Sequence, residues 1–436
     1  MRKLNSILNR LILFGTKIKI FVKLIFLGIA HPQVLLKILK SINIRRFFYY
    51  LQTYNNIELI QIITDNIKLK INPPWGIGTY PKKEMLNKIN KQGIICLRPF
   101  YAMNFSSNGN IWGCICSSWP KYSIGNIKHN SIIELWNSDT AQWIRHKMYK
   151  GEWQDICKST CPTIIDYLRS NKFIKYEELE KDELLSLQSI KEIKLRKVYL
   201  KSPPTYLQPD TSSICNLNCI MCNREQCRDD LTTQKELWAA FEYYLPTAKV
   251  IFLSGWGDPF ARPDTNKLLI NYKGPAKFYI LTNGLLLPKY WEQIKHQKFV
   301  SLSISIDAAT KKTYEKIRRG GKWEDLLKTF DLVKRNRDKF EYPPMINMTV
   351  MRSNYREIPQ FFDLAESYGF NCFFQSLCGK FGDENIFELK DTTALNELRN
   401  MVINETSKKR SIDIRWGNLL AHLNIPFNIN LHSISI

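Results

Sequence analysis

The chain has 436 residues, of which 44% are hydrophobic and 24% charged, and it carries a formal net charge of +23. This length can bury one large core and a smaller domain, and no apolar run reaches the roughly 20 residues that span a bilayer. Eleven cysteines in so long a chain, without a signal-peptide cleavage site, do not fit a secreted disulfide scaffold, so we predict a cytoplasmic protein whose thiolates can bind metal.

Residues 1–90 form a basic segment that predicts helices. The first 57 residues carry ten Lys and Arg and no Asp or Glu, mixed with Ile, Leu and Phe at near-helical spacing. Two interpretations stay open: amphipathic helices in peripheral contact with an anionic membrane, or a helical cap whose lysines are solvated. No recognised binding module accompanies the charge, so we do not predict nucleic acid as a partner.

Residues 91–165 predict a small α+β module rich in cysteine. The run from Ser106 to Asn110 is a hairpin-turn signal between β-like segments, and the hairpin brings together the cysteines on either side of it. Two cysteine pairs make a four-thiolate site suited to iron–sulfur or to zinc. The predicted ligands are Cys96, Cys114, Cys157 and Cys161. Cys116 is a fifth cysteine, which either replaces Cys114 or takes no part.

A charged helical linker, 166–204, leads to residues 205–380, where strands and helices alternate. The predicted strands are 211–214, 250–254, 278–281, 300–306, 345–351 and 372–375. The predicted helices between them include one long helix over 311–340. This alternation predicts an α/β fold with a parallel sheet, and reactive residues gather at the carboxyl ends of such strands. Residues 381–436 form a C-terminal extension without a readable motif.

Directly after the first predicted strand, Cys215, Cys219 and Cys222 form a Cys-x3-Cys-x2-Cys triplet. Three thiolates on one short loop can hold three irons of a 4Fe–4S cluster and leave the fourth iron open to another ligand. Glycine and polar residues then follow the next three strands. They are Gly255, Gly257 and Asp258 after the second strand, Asn283 after the third, and Ser303 and Ser305 in the fourth, with Arg318 beyond it.

The triplet and these strand-end motifs resemble the radical SAM superfamily. The resemblance implies a partial (β/α)6 barrel in which S-adenosylmethionine chelates the open iron and an external reductant supplies one electron. It also implies contacts with this cofactor: Met221 with the adenine, the 255–258 turn with the amino group, Ser303 and Ser305 with the ribose, and Arg318 with the carboxylate. Asn283 would hold the ribose or the substrate. Met221 and Asp258 depart from the family pattern, which commonly has an aromatic residue and Glu there.

The first module resembles the SPASM/twitch auxiliary-cluster domains of the same superfamily, including their Ile-Gly-Asn (124–126) and Leu-Trp-Asn-Ser (135–138) landmarks. The resemblance implies one auxiliary 4Fe–4S cluster, and structural zinc is the alternative. Two departures are evident: five cysteines stand where the full pattern has seven, and the module precedes the barrel instead of following it.

The favoured function is oxidative modification of a peptide or small molecule by hydrogen abstraction, with the auxiliary cluster as electron acceptor. Two alternatives stay open. A redox-neutral epimerase or rearrangement enzyme would need a hydrogen donor, for which Cys378 after the sixth strand is the candidate catalytic residue. A noncatalytic iron–sulfur or zinc scaffold would keep only the fold.

Overall fold

The computed structural model describes residues 93–159, 161–164, 173–222, 231–255, 257–423 and 425. The predicted basic helices of 1–90 therefore lie outside the described residues. In the described ranges, no helix is long and apolar enough to cross a membrane.

The cysteine module contains a β-hairpin followed by two helices. The elements of this module and of the linker after it are β1 (Gly93–Ile94), β2 (Ala102–Ser106), β3 (Asn110–Trp112), β4 (Gly125–Asn126), α1 (Ile132–Trp136), α2 (Asp139–Tyr149), β5 (Ile174–Lys175) and α3 (Leu187–Lys194). The predicted hairpin turn is confirmed: the Gly109 N–H donates to the Ser106 carbonyl at 2.8 Å, and Gly109 adopts a φ of +87°, which favours glycine. Ser131 and Glu134 form a capping box that starts α1.

Strands and helices alternate through the rest of the chain. The elements are β6 (Tyr206–Asp210), α4 (Leu231–Tyr244), β7 (Val250–Leu253), α5 (Pro263–Asn271), β8 (Lys277–Thr282), α6 (Leu287–Ile294), β9 (Phe299–Ser305), α7 (Lys311–Ile317), α8 (Trp323–Arg335), β10 (Met345–Val350), α9 (Ile358–Tyr368), β11 (Asn371–Ser376), α10 (Thr392–Thr406), β12 (Ile414–Arg415) and α11 (Leu419–His422). Strands β6 to β12 lie side by side in chain order, and each is parallel to the next. The predicted parallel α/β fold is confirmed.

The hairpin of the cysteine module belongs to this same sheet. Strand β2 pairs in parallel with β6 along its whole length, from Ala102 opposite Tyr206 to Ser106 opposite Asp210. The sheet order is therefore β12-β11-β10-β9-β8-β7-β6-β2-β3-β4. The module thus extends the sheet of its own chain.

The two faces of the sheet differ in chemistry. On one face, side chains such as Leu207, Ile251 and Leu302 join the main apolar core with the helices. Because side chains alternate along a strand, their neighbours in sequence point to the opposite face. The apolar cluster on that face contains no residue of a described helix, and we call it the helix-free face. That face carries Tyr206, Phe252 and other aromatic residues near the amino ends of the strands, and polar side chains nearer the carboxyl ends.

Two predicted elements were wrong. The first barrel strand is Tyr206–Asp210, whereas 211–214 is a loop. Pro209 lacks an N–H, but β6 pairs with β7 only through Tyr206 and Leu207, so this proline does not interrupt that pairing. The predicted long helix 311–340 is two helices, α7 and α8, because the chain turns at Gly320 with a φ of +92°.

Candidate functional site

The cysteine triplet lies on the loop after β6, at the carboxyl ends of the parallel strands. Backbone hydrogen bonds fix this loop to the end of α7: the Asn218 N–H donates to the Arg319 carbonyl, and the Ile220 N–H donates to the Ile317 carbonyl, both at 3.0 Å. Within the loop, the Leu217 N–H donates to Cys215 Sγ at 3.4 Å. Such N–H donors stabilise negative charge on a sulfur atom, as a thiolate ligand requires.

Gly255 and Gly257 allow the turn after β7 to approach this loop. A Cβ on Gly255 would lie 1.9 Å from Asp210 Oδ1, and a Cβ on Gly257 would lie 2.2 Å from the Ile214 carbonyl oxygen. Gly255 also has a φ of +133°. Any side chain here would push the turn away from the triplet loop, so both glycines have a steric role in the site.

Asp258 is a buried residue that joins two strand ends. Its Oδ2 accepts hydrogen bonds from Thr282 Oγ1 at 2.7 Å and from the Asn283 N–H at 2.8 Å, while its Oδ1 accepts from the Phe260 N–H at 3.0 Å. Burial raises the pKa of Asp258, and these donors oppose the rise. The carboxylate therefore positions the turns after β7 and β8, and both of its oxygen atoms are occupied in doing so.

Asn283, directly after β8, reaches the triplet loop. Its Nδ2 donates to Asn216 Oδ1 at 2.8 Å and lies 3.8 Å from Cys215 Sγ. The side chain is 4% exposed. Asn283 thus holds the first cysteine of the triplet.

Arg318 lies against the second cysteine. Its Nη1 is 3.7 Å from Cys219 Sγ, and its Nη2 forms an ion pair with Asp307 Oδ2 at 2.5 Å. Burial disfavours the cation, but Asp307 and Cys219 overcome this effect and raise the pKa of Arg318. Burial likewise raises the pKa of Cys219, and Arg318 opposes that rise. A permanent positive charge therefore stands beside the triplet.

The remaining predicted contacts lie around the same end of the sheet. Ser303 is buried and donates to Asn347 Oδ1 at 2.9 Å, and Ser305 is half-buried at the end of β9. Met221 packs against an apolar cluster that contains Ile317 and Met351. Their roles toward a cofactor stay predictions.

The auxiliary cysteines come together at the opposite ends of the strands. Burial raises the pKa of Cys157, and the nearby thiols of Cys161, Cys96 and Cys114 add to the rise, so these four cysteines lie in one neighbourhood. Burial raises the pKa of Cys116 to about 11, and Cys114 adds to the rise. The choice between Cys114 and Cys116 as the ligand stays a prediction.

Some features around these four thiols favour an iron–sulfur cluster, and others oppose it. Backbone N–H groups of Arg98 and Ile164 donate to Cys96 and Cys161. Burial raises the pKa of Cys161 to about 12, and the Arg98 guanidinium opposes the rise. Within the described residues, no three His, Cys, Asp or Glu side chains are already grouped tightly enough to hold a metal ion. Iron would therefore have to deprotonate the thiols and draw them together, as is usual where metal binding is coupled to folding.

The two cysteine groups are separated by the length of β6. Ile115, next to Cys114, packs near Tyr206 at the start of this strand, whereas the triplet follows its end. Four residue steps of about 3.3 Å make the strand alone roughly 13 Å long.

A row of rings crosses the helix-free face on the auxiliary side. The ring centroids of Tyr101 and Tyr206 are 6.4 Å apart, those of Tyr206 and Phe252 are 6.2 Å apart, and Phe252 stacks on Tyr279 at 4.8 Å. We call these four residues the aromatic row.

The two cysteines of β11 differ in their environment. Cys372 is fully buried in the core, as predicted. Cys378 is exposed beyond the carboxyl end of β11, with its Sγ 3.9 Å from Asn418 Nδ2. It therefore lies at the triplet end of the sheet, and its role as hydrogen donor stays a prediction.

Sequence reasoning missed two charged residues of the site. Asp307 forms an ion pair with Arg318. The sequence signal for this partner is its place at the end of a Ser-x-Ser-x-Asp run, eleven residues before Arg318. Arg98 stands two residues after Cys96, a spacing that suits contact with the thiol. The spacing to Cys96 is the only signal that we find for Arg98.

Two family profiles match the chain. The profile described as the radical SAM superfamily matches residues 210–365, and the profile of the SPASM iron–sulfur cluster-binding domain matches residues 96–162. These matches confirm the predicted resemblance and the N-terminal position of the auxiliary module. Iron–sulfur clusters and S-adenosylmethionine are accordingly the cofactors of these domains.

Individual relatives match part of the chain. It is 29% identical over 199 residues to the AdoMet-dependent heme synthase of Methanosarcina barkeri, covering 43% of this chain and 55% of that protein. It is 26% identical over 161 residues to the probable GTP 3′,8-cyclase of Methanocaldococcus jannaschii, covering 36% and 53%. The matched region thus spans about half the length of these curated relatives. Among solved structures, Streptococcus suis SuiB bound to its precursor peptide SuiA is 14% identical, with a TM-score of 0.39 and coverage of 77% and 75%.

Proposed function

We propose that this chain, which carries a radical SAM domain preceded by an N-terminal SPASM domain, is an enzyme that oxidatively modifies a peptide or small molecule. The observation that carries the proposal is the meeting of the ends of β7, β8 and α7 at the triplet loop. Asn283, Arg318 and the 255–258 turn all contact that loop, so they surround the three cysteines that we propose as cluster ligands.

When bound, the cluster and S-adenosylmethionine supply a one-electron cleavage that gives a 5′-deoxyadenosyl radical able to abstract a substrate hydrogen. The chain's own residues position and shield this chemistry. Arg318 places a positive charge beside Cys219, and Asp307 keeps the guanidinium in that position. Asn283 and Asn218 tie the triplet loop to β8 and to the end of α7.

The auxiliary module supports an oxidative outcome. Its four cysteines would close an iron–sulfur site with protein ligands alone, so the site would take up an electron without binding substrate. The substrate would then lie on the helix-free face, between the triplet and the aromatic row. A thiol at Cys378 is the feature that favours the redox-neutral alternative.

The proposal is tested by incubating the anaerobically reconstituted full chain with S-adenosylmethionine and dithionite. We expect 5′-deoxyadenosine and methionine from the wild type and none from Cys219→Ala. Cys372→Ala is the matched control, because it removes a core cysteine of the same sheet and should keep cleavage. A wild type that yields no 5′-deoxyadenosine despite a full iron content would favour the scaffold alternative.

The numbers of iron, sulfide and zinc per chain separate the proposed oxidative function from the alternatives. About eight irons and eight sulfides per chain would indicate two 4Fe–4S clusters. About four irons with one zinc would reduce the first module to a structural clamp and favour redox-neutral chemistry.

A further inference from the structure

Arg415 on β12 is the only charged residue in the last four strands of the sheet, β9 to β12. Its guanidinium forms no hydrogen bond and no ion pair within the described residues. The side chain is half-buried, and of its three nitrogen atoms only Nε is both buried and unpaired. The two Nη atoms are therefore the ones that reach solvent.

The strand register places Arg415 on the helix-free face. Arg415 lies opposite Phe373 of β11, and Ile414 lies opposite Cys372. Cys372 and Ile414 pack into the main apolar core with the helices. Because side chains alternate along a strand and directly paired residues share a face, Phe373 and Arg415 point to the opposite face.

This face is open to solvent around Arg415. Along β11, Cys372 and Phe374 are 0% exposed on the core side, whereas Phe373 and Gln375 are half-buried on the other side. Ser305 and Thr349, at the carboxyl ends of β9 and β10, are half-buried as well. In the part of the chain that the structure describes, a ligand therefore has access to the surface beside the guanidinium.

The same register brings Arg415 to the level of the predicted cofactor contacts. Its row across the sheet continues through Phe373 and Asn347 to Ser305. Ser305 comes two residues before Asp307, the ion-pair partner of Arg318 beside Cys219. Two residue steps of about 3.3 Å put the row roughly 7 Å from the level of that pair. A molecule with several carbon atoms, bound at Arg415, would thus reach toward the triplet.

Tyr279 of the aromatic row lies within electrostatic reach of the Arg415 guanidinium. Burial raises the pKa of Tyr279, and Arg415 opposes the rise. Strand β8 is four positions from β12 in the sheet, which would be about 19 Å on a flat sheet. The sheet therefore curves toward its helix-free face, and Arg415 points into the curve. The neutral hydroxyl of Tyr279 does not balance its charge.

A half-buried cation without a counter-charge lowers stability, because burial removes part of its water and no carboxylate replaces it. An uncharged side chain at position 415 would lose no internal hydrogen bond. A residue that lowers stability while pointing into an open, curved face is typical of a site whose ligand supplies the missing charge.

We propose that Arg415 is a substrate anchor that binds a carboxylate on the helix-free face. The inference rests on the proposed function, whose substrate it describes further. A guanidinium binds a carboxylate through two parallel N–H···O hydrogen bonds, and the two Nη atoms are open for them. The anchored end of the substrate would then lie away from the triplet, and its remainder beside it.

The charge of the surrounding strands favours a carboxylate over a phosphate. A phosphate is usually held by more than one cation or by several converging N–H groups. Strands β9 to β12 supply one cation, and its neighbours Ser305, Thr349 and Gln375 are neutral. The carboxylate can belong to a peptide or to a small organic acid, and the experiment below distinguishes these two sources.

The first test is thermal unfolding of the reconstituted full chain in a buffer free of carboxylates. Arg415→Met should keep the melting temperature within about 2 °C of the wild type or raise it, since no internal contact of the charge is lost. The matched control is Arg410→Met, because Arg410 is 10% exposed and pairs with Glu405 and Glu366 at 2.7 and 2.9 Å. The control should lose several degrees. An equal loss for Arg415→Met would show a structural role and overturn the proposal.

The second test is equilibrium dialysis in the presence of S-adenosylmethionine, with probes that differ in one charge. The peptide pair is N-acetyl-Ala-Glu-Ala-amide and its Gln counterpart, the small-acid pair is succinate and succinamide, and inorganic phosphate is the fifth probe. At least one carboxylate should bind the wild type roughly ten times more tightly than its amide counterpart. Arg415→Met should abolish this preference.

Arg399→Met is the matched control for binding. Arg399 is also half-buried with an unpaired Nε, but it lies on α10, which packs on the opposite face of the sheet through Leu398 and Val402. This variant should keep the preference for the carboxylate. A preference for the Glu peptide alone would identify a peptide substrate, and one for succinate alone a small acid.

Three results of the dialysis would overturn the proposal. They are the absence of a preference for either carboxylate in the wild type, a preference that Arg415→Met retains, and binding of phosphate alone. Neither unfolding nor dialysis needs cleavage of S-adenosylmethionine. A wild type inactive in cleavage would therefore refute the proposed function alone, and active cleavage without a carboxylate preference would refute only the anchor.

Discussion

Replacing Asp307 by Asn should strongly destabilise the chain, because it breaks a buried ion pair beside the triplet. Asp307 is fully buried and Arg318 nearly so, with Oδ2 and Nη2 2.5 Å apart. Removing one member of a buried pair leaves the other charge without compensation, which costs about 3–5 kcal/mol. The substitution isolates this charge, since Asn can still accept the 2.6 Å hydrogen bond that the Thr349 N–H donates to Oδ1.

The left-handed backbone at Asp307 does not affect the interpretation of Asp307→Asn. Asp307 adopts a φ of +57°, in the left-handed region, and Asn tolerates that region at least as well as Asp. The free energy of unfolding would be measured by anaerobic guanidinium denaturation of the reconstituted chain. A double-mutant cycle with Arg318→Met should recover most of the loss, because both charges are then absent.

An exposed ion pair provides the matched control. Arg356 and Glu397 are 2.7 Å apart, but their side chains are 65% and 39% exposed. Glu397→Gln should therefore leave the free energy of unfolding nearly unchanged. If Asp307→Asn also lost less than about 1 kcal/mol, the buried-pair reasoning would be refuted.

Three further predictions follow from the described contacts. Arg145→Met should destabilise the SPASM module by about 3 kcal/mol or more, seen as earlier denaturation, because the buried guanidinium donates to the carbonyls of Pro99, Trp136 and Val198. Cys161→Ala should reduce the iron count from about eight to about four per chain, whereas Cys116→Ala should leave it unchanged; equal losses would make Cys116 a ligand. Burial lowers the pKa of His422 below 6.5, so the unfolded state takes up the proton first and stability should fall as pH drops below that value. His422→Leu should flatten this fall in denaturation curves taken between pH 7 and pH 5, and an unchanged slope would contradict the assignment.

The triplet end of the site could be predicted because its signals are local. Each motif follows its own strand within a few residues, and parallel strands deliver their carboxyl ends to one edge of the sheet. Spacing along the chain was therefore enough to place Cys219, Asn283 and Arg318 near one another. The spacing could not predict the hydrogen-bond partner of each side chain. Asp258 was expected to face the cofactor, yet its two oxygen atoms bind the neighbouring turns.

The hydrophobic pattern predicted the bounds of two elements wrongly, those of the first barrel strand and of the helix over 311–340. The run 211–214 predicted the first strand, whereas the strand is Tyr206–Asp210 and only the two residues at its start pair with β7. The helical pattern of 311–340 continued through Gly320, but the first helix ends at Ile317 and the left-handed backbone at Gly320 lies between the two helices. In both cases a strand-pairing hydrogen bond or a backbone dihedral angle determines where the element begins or ends. The period of the hydrophobic residues does not predict either of these.

The docking of the SPASM hairpin depends on pairing between residues about one hundred positions apart, such as Ala102 and Tyr206. Hydrophobic pattern predicts that a strand exists but does not identify a distant partner. Chain order nevertheless explains the result. Parallel strands need a long crossover, and residues 107–205 supply one that contains α1, α2 and α3. At the far edge of the sheet, β12 from the C-terminal extension pairs with β11 in the same way. Each extension thus pairs with the barrel strand nearest to it in sequence. A module that precedes the barrel therefore joins at β6, and this position brings Asn104 and Trp112 beside Gln208.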